Sequence, residues 1–118
     1  MTSRIIKPPF EYTDERGTLI EIISGHWESV NYHDRKKGFT AGGHYHKETD
    51  EYFYVISGKV EVAIQKIGDT EKESFLVSPK EGFLIPRQYY HSLRFIEDSQ
   101  LIALLSKKND SNNPDIYK

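Results

Sequence analysis

Short apolar runs separated by turn signals extend along this 118-residue chain, and no apolar stripe at helical spacing lasts longer than about two turns. Along residues 59–66, Val60 and Val62 alternate with residues suited to solvent, which predicts a strand with one buried face. The turn residues at 57–58 predict a hairpin that joins this strand to residues 51–56. About eight runs of this kind predict an all-β fold, and that number suits a small jelly roll.

Two segments depart from the alternating pattern. Residues 18–23 are apolar on both faces, at Leu19, Ile20, Ile22 and Ile23, which predicts a strand packed on both sides. Residues 106–118 are polar and have too little apolar surface to pack as a core element. We therefore expect a single domain over residues 1–118, with a barrel over about 10–105 and a polar C-terminal tail over 106–118.

Composition excludes several classes of partner. Sixteen basic and eighteen acidic residues leave a formal charge of -2, so no strong field attracts nucleic acid or an acidic membrane surface. The absence of cysteine excludes disulfides and thiolate ligands, so any metal must be bound through nitrogen and oxygen. Nothing approaches the roughly 20 consecutive apolar residues of a membrane span. We expect a soluble, unprocessed, cytoplasmic protein that binds neither nucleic acid nor membrane.

Three histidines and a glutamate predict a metal site. Successive strand residues point to opposite faces, so His44 and His46 project from the same face of their strand. Glu51 follows a short polar turn and begins the next strand, while His91 begins a strand shortly after Pro86. Three imidazoles and a carboxylate suit a divalent transition metal, and zinc, iron, manganese, nickel and copper remain open.

Other polar and aromatic residues have simpler interpretations. His26 and His33 stand outside this pattern and are interpreted as polar residues satisfied by ordinary hydrogen bonds. If the ligands point inward, three tyrosines point outward, where they suit sheet packing or a dimer surface. These are Tyr45, Tyr52 and Tyr54.

A two-part motif surrounds the predicted ligands. The first part is Gly38-x5-His44-x-His46-x4-Glu51-x6-Gly58, and the second retains Pro86 and His91. Three usual residues of the second part are replaced here by Lys80, Gln88 and Phe95. The motif resembles that of the cupin superfamily, which implies a small double-stranded β-helix barrel with metal ligands at His44, His46, Glu51 and His91.

Further runs narrow the resemblance to the nucleotide-sugar epimerases and isomerases. They are Asp-Glu-Arg-Gly-Thr-Leu-Ile-Glu at 14–21, Gly-His-Tyr-His-Lys at 43–47, Val-Ile-Ser-Gly at 55–58 and Asn-Pro-Asp-Ile-Tyr at 113–117. The histidine run and the C-terminal run are similar to the cupin domain of the capsular polysaccharide-synthesis reductase/epimerase. The resemblance also extends to dTDP-4-keto-6-deoxyglucose ketoisomerases, and it covers about residue 10 to the C-terminus.

The resemblance implies proton transfer next to the 4-keto group of a nucleotide-linked deoxy sugar, in surface polysaccharide biosynthesis. It implies His44 as the base, with His46 assisting, and a homodimeric assembly. A metal on His44 would occupy the lone pair that a base requires. In that case the base must lie elsewhere, and the candidates are Lys47, Tyr52 and His33.

Two departures from the relatives affect the substrate and metal predictions. Ala41 stands where epimerases and ketoisomerases usually have a phosphate-binding arginine, so Arg35, Arg87 and Arg94 become candidates by charge. Ketoisomerases that work without metal tend to lack the glutamate found at Glu51, which favours a metal-bearing relative. A metal-dependent cupin dioxygenase and a non-catalytic sugar-binding cupin remain alternatives.

Overall fold

The computed structural model describes residues 4–118, and these form eleven β-strands and no helix. Consequently no helix in this part of the chain is long and apolar enough to cross a membrane. The strands are β1 (Ile5–Ile6), β2 (Phe10–Asp14), β3 (Gly17–Glu21), β4 (Ser29–Arg35), β5 (Thr40–His44), β6 (Glu51–Ser57), β7 (Val60–Lys66), β8 (Glu73–Val77), β9 (Gly82–Ile85), β10 (Tyr89–Phe95) and β11 (Ser99–Leu105).

Two antiparallel sheets enclose the core. One has five strands in the order β1-β9-β6-β11-β4, and the other has four in the order β5-β10-β7-β8. Inward-facing side chains of both sheets form one apolar cluster, in which Phe83 of β9 stacks on Phe53 of β6. On β7, Val60, Val62 and Ile64 are buried, as their alternation predicts. The all-β jelly-roll prediction is confirmed.

The predicted hairpin between residues 51–56 and 59–66 is wrong. Strand β6 pairs with β9 and β11, whereas β7 pairs with β8 and β10, so the 57–58 step crosses from one sheet to the other. Gly58 has a φ of 90°, and a Cβ there would collide with the side chain of Ser99. The glycine therefore permits a tight corner between sheets rather than a two-strand turn.

The prediction that residues 18–23 form a strand packed on both faces is also wrong. Strand β3 pairs with β2 in a separate two-stranded sheet. Leu19 is 64% exposed, and Phe10 and Tyr12 of β2 are exposed as well. A two-stranded ribbon has no second layer of its own to cover its side chains, so apolar composition alone does not bury it.

Candidate functional site

The three predicted histidines meet between the edges of β5 and β10. His44 ends β5 and pairs with His91 of β10, and a bulge at this point leaves Gly43 as the extra residue of β5. Gly42 has a φ of 88°, and a Cβ there would lie 2.8 Å from the His91 carbonyl oxygen. Glycine thus allows the close approach, and the bulge turns the histidine side chains toward one point.

The imidazole rings form a compact cluster. The ring centroid of His44 lies 5.0 Å from that of His46 and 4.8 Å from that of His91. One nitrogen of each ring lies within 4.8 Å of the corresponding nitrogens of the other two. The structure therefore brings together residues that are 47 positions apart in the chain, His44 and His91 (91 − 44).

Glu51 completes the cluster from the opposite sheet. Its Oε1 lies 3.3 Å from Nε2 of His46 and 3.7 Å from Nε2 of His91. The carboxylate, His46 and His91 are buried, whereas His44 is half-buried and borders the adjoining cavity. Glu51 reaches this point because it shares the inward face of β6 with Phe53.

Backbone carbonyls orient two of the rings. Nδ1 of His46 lies 2.6 Å from the Asp115 carbonyl oxygen, and Nδ1 of His91 lies 3.3 Å from that of Tyr89. A carbonyl only accepts, so each Nδ1 carries the proton and each neutral ring presents an Nε2 lone pair to Glu51. Lone pairs facing a carboxylate need a proton or a metal cation between them, and the donor set fits a divalent transition metal.

The pKa values indicate which imidazoles are neutral. Burial lowers the pKa of His91 from 6.5 to about 4, and burial followed by the nearby His46 lowers that of His44. Burial also lowers the pKa of His46, but its bonds to Glu51 and to the Asp115 carbonyl outweigh burial and raise it overall. At neutral pH, His44 and His91 therefore carry available lone pairs.

A cavity of about 330 Å³ opens beside the cluster. One wall is the inward face of β4, with Asn31 and His33, and another is the C-terminal tail, with Lys107 and Lys108. The tail is polar, as expected, yet its hydrogen bonds hold it against the site. Nothing in the local sequence distinguishes these two lysines from those of a solvated tail, so their place at the cavity could not be predicted.

His33 and Arg35 form a pair at this wall. Nε–H of Arg35 donates to Nδ1 of His33 across 3.1 Å, so a neutral His33 carries its proton on Nε2. Burial, and then the charge of Arg35, lower the pKa of His33. Both residues line a recess of about 100 Å³ beside His44 and His91, and His33 lines the larger cavity as well. Of the three arginines proposed from charge, Arg35 is the one that lines a cavity beside the histidines within residues 4–118.

The other predicted site residues lie elsewhere. Arg87 pairs with Asp50 at 3.1 Å, and Arg94 pairs with Glu61 at 3.0 Å on the outward side of β10. Neither guanidinium lines the two cavities, so neither prediction as a substrate-binding residue gains support from its position.

The two remaining catalytic candidates, Lys47 and Tyr52, do not line either cavity. Lys47 has its Nζ 4.1 Å above the ring of Tyr117. Tyr52 faces away from Glu51, packs near Trp27 and is fully buried, and burial raises its pKa to about 12. In the described part of the chain its hydroxyl has no hydrogen-bond partner. Tyr52 therefore points away from the cluster, as expected, but its side chain is packed in a buried layer. It does not contact the histidine cluster.

A two-sheet β-barrel with this cluster between its sheets has the cupin fold, which sugar epimerases and isomerases share. The chain belongs to the polysaccharide biosynthesis C-terminal domain family, which it matches over residues 12–117. No curated protein matches it. The resemblance inferred from the histidine and C-terminal motifs is therefore confirmed.

Solved structures support the same assignment. The capsular polysaccharide assembling protein CapF from Staphylococcus aureus is 30% identical with a TM-score of 0.72, over 92% of this chain and 31% of that one. A double mutant of the QdtA 3,4-ketoisomerase from Thermoanaerobacterium thermosaccharolyticum, in complex with TDP, is 25% identical with a TM-score of 0.78, over 98% and 88%. The dTDP-4-dehydrorhamnose 3,5-epimerase from Sulfolobus tokodaii shares the fold, at 20% identity and a TM-score of 0.79, over 92% and 72%. The chain thus spans about a third of CapF and most of the QdtA and Sulfolobus tokodaii enzymes.

Proposed function

We propose that this protein is a nucleotide-sugar epimerase or ketoisomerase of polysaccharide biosynthesis, which moves a proton on carbon next to a 4-keto group. The observation that carries the proposal is a neutral imidazole, His44, facing a cavity beside the buried trio of His46, His91 and Glu51. Family membership and the similarity to a TDP-bound ketoisomerase support this substrate class.

His44 is assigned as the base. It is the most exposed of the three clustered histidines, it borders the cavity, and its pKa is lowered by burial and by His46. The single N–H of the neutral ring is held by a hydrogen bond to the Gly42 backbone, which leaves the other nitrogen free to accept a proton. The alternative bases are weaker, because Lys47 and Tyr52 lie outside the cavities and Arg35 occupies the His33 Nδ1 lone pair.

A divalent transition metal fits the trio of His46, His91 and Glu51, with His44 as the fourth predicted ligand. When bound, such an ion supplies Lewis-acid polarisation of the substrate ketone. His44 either completes the ligand set or accepts the substrate proton, because one lone pair serves one partner. We assign it to proton transfer on account of its exposure. The fixed Nε2–H of His33 is suited to donate to a substrate oxygen at the same cavity.

Phosphate recognition is assigned to Arg35 and to the tail. Lys107 pairs with Glu48 at 2.9 Å, whereas no partner for the Lys108 ammonium is found within residues 4–118. The two lysines border the larger cavity and Arg35 borders the smaller recess. Cations at these positions suit the diphosphate of a nucleotide sugar and compensate for the family arginine replaced by Ala41.

A homodimer in the cytoplasm is the proposed assembly and location. The edge strand β4 exposes Val30 and Tyr32, and the β2–β3 ribbon exposes Phe10 and Leu19. Apolar side chains along a sheet edge and on a two-stranded ribbon favour pairing with a second copy. Light scattering coupled to size exclusion should give twice the 13.7 kDa chain mass.

Deuterium exchange tests the reaction. The protein is incubated with nucleotide-linked 4-keto-6-deoxy sugars in deuterated water. The C3 or C5 proton of the sugar should exchange for deuterium, and proton NMR measures this exchange. His44→Gln should abolish exchange and still bind zinc, whereas loss of both would make His44 a ligand. Absence of exchange with every sugar refutes the proposed reaction. Sugar binding without exchange would then indicate a binding module, and metal-dependent oxygen consumption would indicate a dioxygenase.

A further inference from the structure

The C-terminal tail is tied to the turn between His46 and Glu51 by one carboxylate. Oδ1 of Asp115 accepts the backbone N–H of Lys47 at 2.9 Å. Oδ2 accepts the backbone N–H of Glu48 at 2.8 Å and the hydroxyl of Thr49 at 2.9 Å. Thr49 is buried and its bond is partly buried, whereas the two backbone bonds lie at the surface. The three bonds together attach one carboxylate to residues 47–49.

The main chain of the same residue contacts the site. The Asp115 carbonyl accepts Nδ1–H of His46 across 2.6 Å. Two residues further on, Tyr117 exchanges backbone hydrogen bonds of 2.8 and 3.0 Å with Tyr45. The carbonyl is thus held on one side by its own carboxylate and on the other by a bridge to the residue preceding His46.

This arrangement determines which nitrogen of His46 faces Glu51. A neutral imidazole exists in two tautomers, and a fixed carbonyl at Nδ1 selects the one with its lone pair on Nε2. Without the carbonyl, the ring would be free to protonate Nε2 or to rotate, and Nε2 would lose its direction toward the cluster. The tail also supplies Lys107 and Lys108 to the cavity, so its docking shapes the cavity as well.

We propose that Asp115 is a positioning residue: its carboxylate docks the tail on residues 47–49, and its carbonyl fixes His46 with Nε2 toward Glu51. The catalytic consequence rests on the proposed function, whereas the tautomer of His46 does not. Asp115 is therefore expected to act through His46 and through the shape of the cavity, without contact to the reacting atoms.

Nitrogen-15 NMR of the histidine rings in metal-free protein tests the positioning directly. At a pH high enough to deprotonate the imidazolium, wild type should show neutral His46, assigned with a His46→Gln variant, as a single Nδ1–H tautomer. Asp115→Ala should give a mixture of tautomers, and Asp115→Asn, which keeps one acceptor oxygen, should lie between them. Asp98→Ala is the matched control, because Asp98 also accepts a backbone N–H, from Lys37 at 2.8 Å, beyond the distant end of β10.

Metal affinity gives a second readout. Competition with a chelator should show zinc binding weakened by about 10- to 100-fold in Asp115→Ala and unchanged in Asp98→Ala. Circular dichroism confirms that the variants compared are folded. If Asp115→Ala cannot be obtained folded, Asp115→Asn carries the test, with a partial mixture of tautomers expected.

The outcomes separate this proposal from the proposed function. A mixed His46 tautomer in wild type, or an unchanged tautomer and zinc affinity in folded Asp115 variants, overturns the positioning role. A fixed tautomer that Asp115→Ala disrupts supports it, even where wild type exchanges no sugar proton. That last result counts against the epimerase or isomerase reaction alone.

Discussion

Tyr52 is a candidate base on the sequence alone, but the structure buries its side chain away from the histidine cluster. The side chain is fully buried beside Trp27, and its hydroxyl lies against the backbone of Gly82. Burying a hydroxyl without a partner costs about 1–3 kcal/mol. Tyr52→Phe removes that hydroxyl and retains the ring, so we expect the free energy of unfolding to rise by about 1–2 kcal/mol at pH 8.

Urea unfolding measures this gain, and deuterium exchange into the substrate should continue at the wild-type rate. Tyr90→Phe is the control, because Tyr90 is 39% exposed and its change should stay within about 0.5 kcal/mol. A loss of more than about 1 kcal/mol in Tyr52→Phe would mean that the hydroxyl is bonded in solution. A large fall in the deuterium exchange rate with unchanged stability would indicate that Tyr52 takes part in the reaction.

Four further predictions concern other parts of the molecule. The hydrogen bond from Lys7 lowers the pKa of Glu81, so this ion pair stabilises the fold above the usual carboxyl pKa and stabilises it less as pH falls. Lys7→Met should therefore lower the urea midpoint at pH 7, and the decrease should be smaller at pH 4. Gly58→Ala should destabilise by about 1–3 kcal/mol, because alanine is strained at φ 90° and its Cβ meets β11. Leu19→Asp should convert the proposed dimer into a folded monomer in light scattering. Zinc at 100 times its Kd should stabilise wild type by about 2.7 kcal/mol in thermal unfolding, and Glu51→Gln should lose most of this gain.

Residues of the ligand set show how much local pattern predicts. His44 and His46 share a face because side-chain direction alternates along an extended chain, a property of covalent geometry. The same alternation buries Val60 and Val62 on β7 and turns Tyr52 away from Glu51. The motif spacing therefore identified the residues that meet in the cluster, although the metal itself stays a prediction.

Errors arose where a residue's partner lies far away in the chain. The 57–58 step has hairpin chemistry but crosses between sheets, because pairing depends on which strands flank β6 and β7. Leu19 is apolar but uncovered, since nothing within residues 4–118 buries it. Arg94 was selected by charge, yet Glu61 on the neighbouring strand holds it on the outer face.

The sequence by itself determined most of the strands, the barrel class and the histidines and glutamate of the cluster, because these follow from short-range alternation and motif spacing. It predicted about eight of the eleven strands within residues 4–118, and β1 and β2 were missed. Only the tertiary structure decided that Asp115, 69 positions further along the chain, orients His46 and that the C-terminal tail lines the cavity. It also paired His33 with Arg35 and thereby set the proton of that ring. Such contacts depend on how the strands pack, and a polar tail has no local signal that names its partner.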